Sequence, residues 1–253
     1  MRTGGAMSAV RTPAKRRRPE HPLLASPGRD IAVTAVSLAV TAGLFVAVAD
    51  HGTLAHIQRV DNSWLNLMVS HRSAPLTAAA KFLNVLGLVY VTLPIRIGIA
   101  AFLAARRRWW HFAAFVLAIV LSEVLIGTLK SAYDRTRPPA SLVATSGASF
   151  PSGHAVAASV TVVAAVIALV PPSRHRAAWG TAAVAFSIIM ALSRAYLGAH
   201  WLSDALAGVL LGTSCALVAA LVVGALQNRR ISRMKGGPVP GQDPDVVLPE
   251  DRR

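Results

Sequence analysis

The chain has 253 residues, of which 54% are apolar and only 15% charged, with a mean hydropathy of +0.51. Soluble domains usually carry about 25% charged residues, and here the apolar residues are bunched into long runs, so the class is a polytopic membrane protein rather than a soluble one. The net charge of +15 does not make a nucleic-acid binder, because the Lys and Arg lie between apolar runs rather than on one basic face.

Residues 1–29 contain Lys15-Arg16-Arg17-Arg18 and several Pro and Gly, and are expected to form a disordered basic cytoplasmic N-terminus. The first apolar run, Ile31 to Ala49, is too long for a signal-peptide core of about 7–15 residues and has no evident cleavage site, so it is expected to stay as a membrane span. Five more spans are expected near 86–104, 110–129, 154–171, 178–197 and 203–224, all helical because a chain in lipid must satisfy its own backbone hydrogen bonds. The predicted fold is therefore all-α: a six-transmembrane helical bundle over residues 30–228. Between the first two spans, Leu54, Ile57, Trp64, Leu65 and Met68 alternate with Arg59, Asp61, Asn62 and His71, which predicts interfacial amphipathic helices in the first exterior loop and a short helix after Pro75. Residues 229–253, rich in Pro, Gly and charge towards their end, are expected to be a disordered cytoplasmic tail. The single cysteine, Cys215, lies in an apolar run and allows no intrachain disulfide.

Lys and Arg concentrate on one side of this arrangement: Arg2 to Arg29, then Arg106-Arg107-Arg108, then Arg174 and Arg176, then Arg229 to Lys235. Such a bias marks the cytoplasmic face, so both termini are expected inside a plasma (inner) membrane. Arg96 and Glu123 fall within spans at similar depth, which suggests a structural pair facing the bundle interior; alternatively, Glu123, seven residues before Lys130, lines a route to the exterior end.

Three clusters mark that exterior end. In the first, Lys130 closes the third span and Arg137-Pro138 opens the next loop. Two cations this close repel unless an anion lies between them, although long cations also snorkel at helix ends for purely interfacial reasons. In the second, Pro151-Ser152-Gly153-His154 begins the fourth span. Helix-start residues with a glycine allow a backbone anion site, although a histidine at a helix start is often structural. In the third, Ser193-Arg194 ends the fifth span and is followed by His200 and Asp204. A spacing of four puts both on one helix face, where the carboxylate could fix the histidine tautomer.

Taken together, K-x6-RP, PSGH and SR-x5-H-x3-D, with 12 residues between Pro138 and Pro151 and 38 between His154 and Ser193, resemble the signature of the type 2 phosphatidic acid phosphatase superfamily. The similarity covers about residues 75–225. It implies that Lys130, Arg137 and Arg194 bind phosphoryl oxygens with help from Ser152 and Gly153. It further implies that His200 attacks phosphorus to form a phosphohistidine, that Asp204 orients His200, and that His154 protonates the leaving oxygen and then activates water. No metal or other cofactor is expected: Asp134 and Asp204 are the only carboxylates in the clusters, too few to hold Mg2+.

The expected function is an integral-membrane lipid phosphatase acting at the exterior face. Its partners are membrane lipids and a lipid phosphate substrate, preferably undecaprenyl or another polyprenyl diphosphate, with phosphatidic acid or phosphatidylglycerol phosphate as the alternative. A transporter finds no support in inverted repeats or broken helices, and an inactive binding protein would not need both histidines and Asp204.

Overall fold

The computed structural model describes residues 20–139 and 141–235, the last two by backbone alone. Eight helices follow in chain order: α1 (Pro27–Ala49), α2 (His51–Ser70), α3 (Ala74–Leu86), α4 (Val89–Ala105), α5 (Trp109–Tyr133), α6 (Gly153–Leu169), α7 (Arg174–Tyr196) and α8 (Leu202–Lys235). No strand occurs among the described residues. Four helices, α1, α5, α7 and α8, are each long and apolar enough to cross a membrane, and α3 with α4 qualifies as one broken span bent by 52°. All six expected spans coincide with helical segments, but two differ in form. The span expected over 86–104 is interrupted at Gly87-Leu88, where the backbone leaves the helix. The fourth, α6, has only 17 residues because the chain becomes extended at Val170, ahead of Pro171-Pro172. At 1.5 Å per residue it is about 26 Å long, short of the ~30 Å hydrocarbon thickness.

The centre of the bundle is α6, whose residues Ala155, Val156, Ala158, Ser159, Val160 and Ala164 are buried. Small side chains let α8 approach it closely. A Cβ on Gly208 would lie 2.7 Å from the Ser152 carbonyl oxygen, and one on Gly212 would lie 2.1 Å from Ser159 Oγ and 2.6 Å from the Val156 oxygen. The Ser152 and Val156 oxygens are backbone atoms and cannot yield by rotamer change. Gly212→Val will therefore separate α8 from α6 and lower stability by about 1–3 kcal/mol, read as a fall in the thermal midpoint of detergent-solubilised protein. An unchanged midpoint would contradict this packing. Around the helix pair lie Phe45, Phe115 and Phe150, with Tyr133 stacked on Phe150 and donating through its hydroxyl to the Phe45 carbonyl at 2.9 Å.

The expected disorder at the ends needs correction where the chain is described; residues 1–19 and 236–253 lie outside the described residues. Leu23 is fully buried against Ala114, Ile167, Ala220 and Val223, its N–H donates to Gln227 Oε1 at 3.1 Å, and Glu20 accepts from the Trp109 N–H at 3.0 Å. One apolar side chain and two capped backbone groups thus hold residues 20–26 against the bundle. At the other end α8 continues as helix through Lys235, beyond the expected limit at 228.

Arg96 and Glu123 do pair, at 2.7 Å, but only Arg96 faces the interior as expected, since the Glu123 side chain is 55% exposed; Arg96 also donates to Thr161 Oγ1 at 2.9 Å. One guanidinium thereby ties α4 to both α5 and α6. Helices are present where amphipathic ones were expected before the second span: α2 is capped by Asp50, which accepts from the Thr53 N–H at 2.8 Å, and α3 starts with Pro75 in its first turn.

Candidate active site

Lys130 sits in the last turn of α5, which Asp134 closes in a left-handed conformation (φ 36°). The following loop is gathered by Arg137. Its Nε donates to the Gly147 carbonyl at 2.9 Å, Nη2 to the Ser146 carbonyl at 2.8 Å and Nη1 to the Ala199 carbonyl at 2.7 Å. Lys130 Nζ donates to the Ala148 carbonyl at 2.7 Å, and Arg137 Nη2 reaches the same oxygen at 3.2 Å. The two cations therefore converge on one carbonyl oxygen, and their mutual repulsion would be relieved by a bound anion.

His200 lies in the loop between α7 and α8 and is 3% exposed. Its Nδ1 is 2.7 Å from the Ser149 carbonyl oxygen, which can only accept, so Nδ1 carries the proton and the Nε2 lone pair accepts from Arg137 Nη1. That Nε2 lies 3.2 Å from Arg137 Nη1. Burial, reinforced by Arg137, Arg194 and Lys130, holds His200 well below the ordinary imidazole range, so the ring is neutral.

The sequence reading of His200 and Asp204 as a directly bonded pair on one helix face needs correction. α8 begins only at Leu202, and the His200 Nδ1 to Asp204 Oδ2 distance is 3.9 Å, too long for a hydrogen bond. Asp204 is fully buried and instead accepts from Ser149 Oγ at 2.5 Å, from the Trp201 N–H at 3.0 Å and from Arg135 Nη1 at 2.6 Å. It braces the strip of backbone whose carbonyl sets the His200 tautomer, acting through Ser149 rather than on the ring.

The remaining expected residues close the site. Ser152 is the fully buried N-cap of α6, Gly153 and His154 form that helix's first turn, and Arg194 ends α7 at 2% exposure. Ser152 Oγ, His154 Nε2 and Arg194 Nε are buried with no hydrogen-bond partner among the described residues. Both histidines feel the same three cations, Lys130, Arg137 and Arg194. All eight residues singled out in the sequence thus gather at one end of the bundle, and three of them have polar atoms that await a partner.

Several residues here escaped the sequence reading. Arg135, 8% exposed, bridges Asp204 to Asp61 of α2, whose Oδ2 accepts from Arg135 Nη2 at 2.8 Å. Asp61 also accepts from the Ser203 N–H at 2.9 Å, and Gln58 takes a further Arg135 hydrogen bond at 2.7 Å. Asn84 at the end of α3 accepts from Arg194. Gly87, at the break between α3 and α4, leaves room for the His154 ring, since a Cβ there would fall 2.3 Å from it. A second arginine inside the first motif was a visible signal for Arg135; nothing in the sequence joins Asp61 to a partner so far along the chain.

A buried, neutral histidine beside converging cations at the end of an apolar helical bundle defines a membrane protein built to hold an anionic group. The profile of the PAP2 superfamily matches residues 111–228. The chain is 30% identical over 174 residues to phosphatidylglycerophosphatase B of Bacillus subtilis, covering 67% of this chain and 85% of that protein. It is 34% identical over 124 residues to lipid A 1-phosphatase of Rhizobium johnstonii, covering 45% of this chain and 48% of that one. The fold matches the crystal structure of a transmembrane PAP2-type phosphatidylglycerolphosphate phosphatase from Bacillus subtilis, with a TM-score of 0.65, 25% identity, and coverage of 78% of this chain and 96% of that chain. It also matches LpxE of Aquifex aeolicus in fold, with a TM-score of 0.51 and 24% identity over 61% of this chain and 91% of that chain. The chain belongs to the PAP2 superfamily, as a multi-helix membrane phosphatase.

Proposed function

We propose that this phosphatase cleaves the terminal phosphate from a membrane lipid through a phosphohistidine, without a metal ion. The observation that carries the reading is the set of unpartnered atoms Ser152 Oγ, His154 Nε2 and Arg194 Nε within reach of the field of Lys130 and Arg137, beside a neutral His200. A tetrahedral phosphate offers acceptors to the serine and both arginines and a leaving oxygen to His154. His200 Nε2 attacks phosphorus; the P–N bond forms as the P–O bond breaks, and the electron pair leaves with the lipid oxygen. His154, protonated beside the bound phosphate, donates to that oxygen. It then takes a proton from water, whose oxygen displaces His200 and releases inorganic phosphate. Fixed cations facing the charge that develops on the phosphoryl oxygens supply the largest part of the rate.

The substrate is a lipid phosphate whose tail stays in the bilayer. An undecaprenyl or other polyprenyl diphosphate, its tail in the bilayer and its diphosphate at the exterior face, is one assignment; phosphatidylglycerol phosphate is the other, and the relative named phosphatidylglycerophosphatase B supports it. Phosphate release by purified protein should be measured on polyprenyl diphosphate, phosphatidylglycerol phosphate and phosphatidic acid, with and without EDTA. Activity on at least one, insensitive to EDTA and inhibited by vanadate, is expected. Loss in EDTA with recovery on adding Mg2+ would overturn the metal-free reaction.

Six spans with α2 and α3 at the interface, both termini cytoplasmic and the site exterior, complete the proposal. The supporting observation is that α7 starts at Arg174 and carries Arg194 of the site in its last turn, so the basic turns and the site lie at opposite ends of the bundle. In a Cys215→Ala background, Thr145→Cys should react with a membrane-impermeant thiol reagent in intact cells and Ser173→Cys should not; the reverse pattern would place the reaction in the cytoplasm.

A further inference from the structure

A second pocket, about 840 Å³ in volume, lies at the end of the bundle away from His200, between α1, α7 and α8. It falls within the ~300–1,000 Å³ typical of small-molecule sites. Ile167 lies in its wall, 13 residues after His154 on α6, which places it about 20 Å along the helix from the catalytic end. Its chemistry is divided. The walls are aliphatic, with Leu24, Val33, Ile167 and Leu217, and Val33 faces outward from α1 at 49% exposure. The rim is basic, with Arg29, Arg174 and Arg176.

Among the described residues, the charges on this rim do not balance. Among the described residues, Asp30 is the single carboxylate lining the pocket, and its Oδ2 is engaged by the Ala25 and Ser26 N–H groups at 2.8 and 3.0 Å. Arg29 approaches Asp30 only at 4.0 Å. Arg176 donates through Nη2 to the Leu23 carbonyl at 2.7 Å, while its Nη1 is buried with no partner among the described residues. The start of α7, at Ser173 and Arg174, forms part of the same rim and adds the positive end of a helix dipole. Solvated cations would need no walls, and an acyl chain alone would need no cations. The pairing fits a molecule with an anionic head and a hydrocarbon body.

We propose that this pocket is a non-catalytic site for an anionic phospholipid of the leaflet opposite the active site, its headgroup phosphate on Arg29, Arg174 and Arg176 and an acyl chain along the groove between α1, α7 and α8. Basic pockets between membrane helices on the cytoplasmic side suit such headgroups. The bound lipid would join residues 23–30 to α7, coupling the N-terminal segment to a helix whose far end carries Arg194. The site does not depend on the identity of the enzyme's substrate.

The test uses full-length protein stripped of lipid in neutral detergent, with retention read by native mass spectrometry. The probes are phosphatidylglycerol, a phosphodiester that lacks the terminal phosphate the enzyme is proposed to cleave, phosphatidylcholine, and inorganic phosphate. Phosphatidylglycerol should be retained in preference to phosphatidylcholine and should not be displaced by millimolar phosphate. Arg174→Gln/Arg176→Gln should bind it about 30-fold more weakly, the loss of two basic contacts at the surface. Ala177→Trp, which fills the groove and leaves the charges in place, should weaken it as well and guards against misfolding of the double variant. His200→Ala should retain it as the parent does. Equal retention of the two lipids, a preference that survives both pocket variants, displacement by inorganic phosphate, or loss in His200→Ala would each overturn the proposal.

Discussion

His200→Ala will abolish turnover of every lipid phosphate, a loss on the order of 10⁴–10⁶-fold, because the proposed nucleophile has no substitute in the site. His154→Ala will behave differently. Its proton is needed only where the leaving oxygen is basic, so with p-nitrophenyl phosphate the first step survives. The second step then stalls because no base activates water, and a phosphoenzyme should accumulate that acid-labile phosphate trapping can detect. With a lipid alkoxide leaving group the same variant should lose about 10²–10⁴-fold, the usual contribution of a positioned general acid. The two histidines are therefore distinguished by which step each variant blocks. Phosphohistidine trapped in the His200→Ala protein would show that the assignment is reversed.

Arg135→Ala will be strongly destabilising. It removes the one cation between Asp61 and Asp204, whose side chains are 2% and 0% exposed, and leaves two buried carboxylates facing one another. Breaking a buried pair on one side typically costs about 3–5 kcal/mol, so the thermal midpoint should fall sharply. Asp61→Asn keeps the shape and most of the hydrogen bonds, and should be milder. A purely structural role would change stability alone. Because Asp204 also holds Ser149, whose carbonyl fixes the His200 tautomer, Asp61→Asn should lower kcat with KM nearly unchanged in protein that remains folded at the assay temperature. An unchanged kcat would confine the network to stability.

The contrast between Asp204 and Arg135 shows how far the sequence could be read. Asp204 is visible because it stands four residues from a histidine, but that spacing implies a direct bond only if both lie on one helix. The helix starts at Leu202, after the turn through Gly198 (φ 65°) and Ala199, so His200 hangs from the loop and finds a backbone carbonyl instead. Arg135 looks like a spacer between Lys130 and Arg137, because its value depends on Asp61, which belongs to a helix far away in the chain. In the same way, Gly87 reads as an ordinary helix-end residue until the His154 ring is found against it.

The sequence by itself determined the class, the approximate helical segments and the chemical inventory. Those rest on local physics: long apolar runs must be helical in lipid, and charged residues bordering them are costly enough to be purposeful. Only the tertiary structure decided that Asp204 binds Ser149 rather than His200, that α2 reaches Asp204 through Arg135, that the second expected span is broken beside His154, and that residues 20–26 pack onto the bundle. Each of these depends on a partner brought near by packing rather than by spacing along the chain, and hydrogen bonds a few ångströms long select that partner only after the helices have docked.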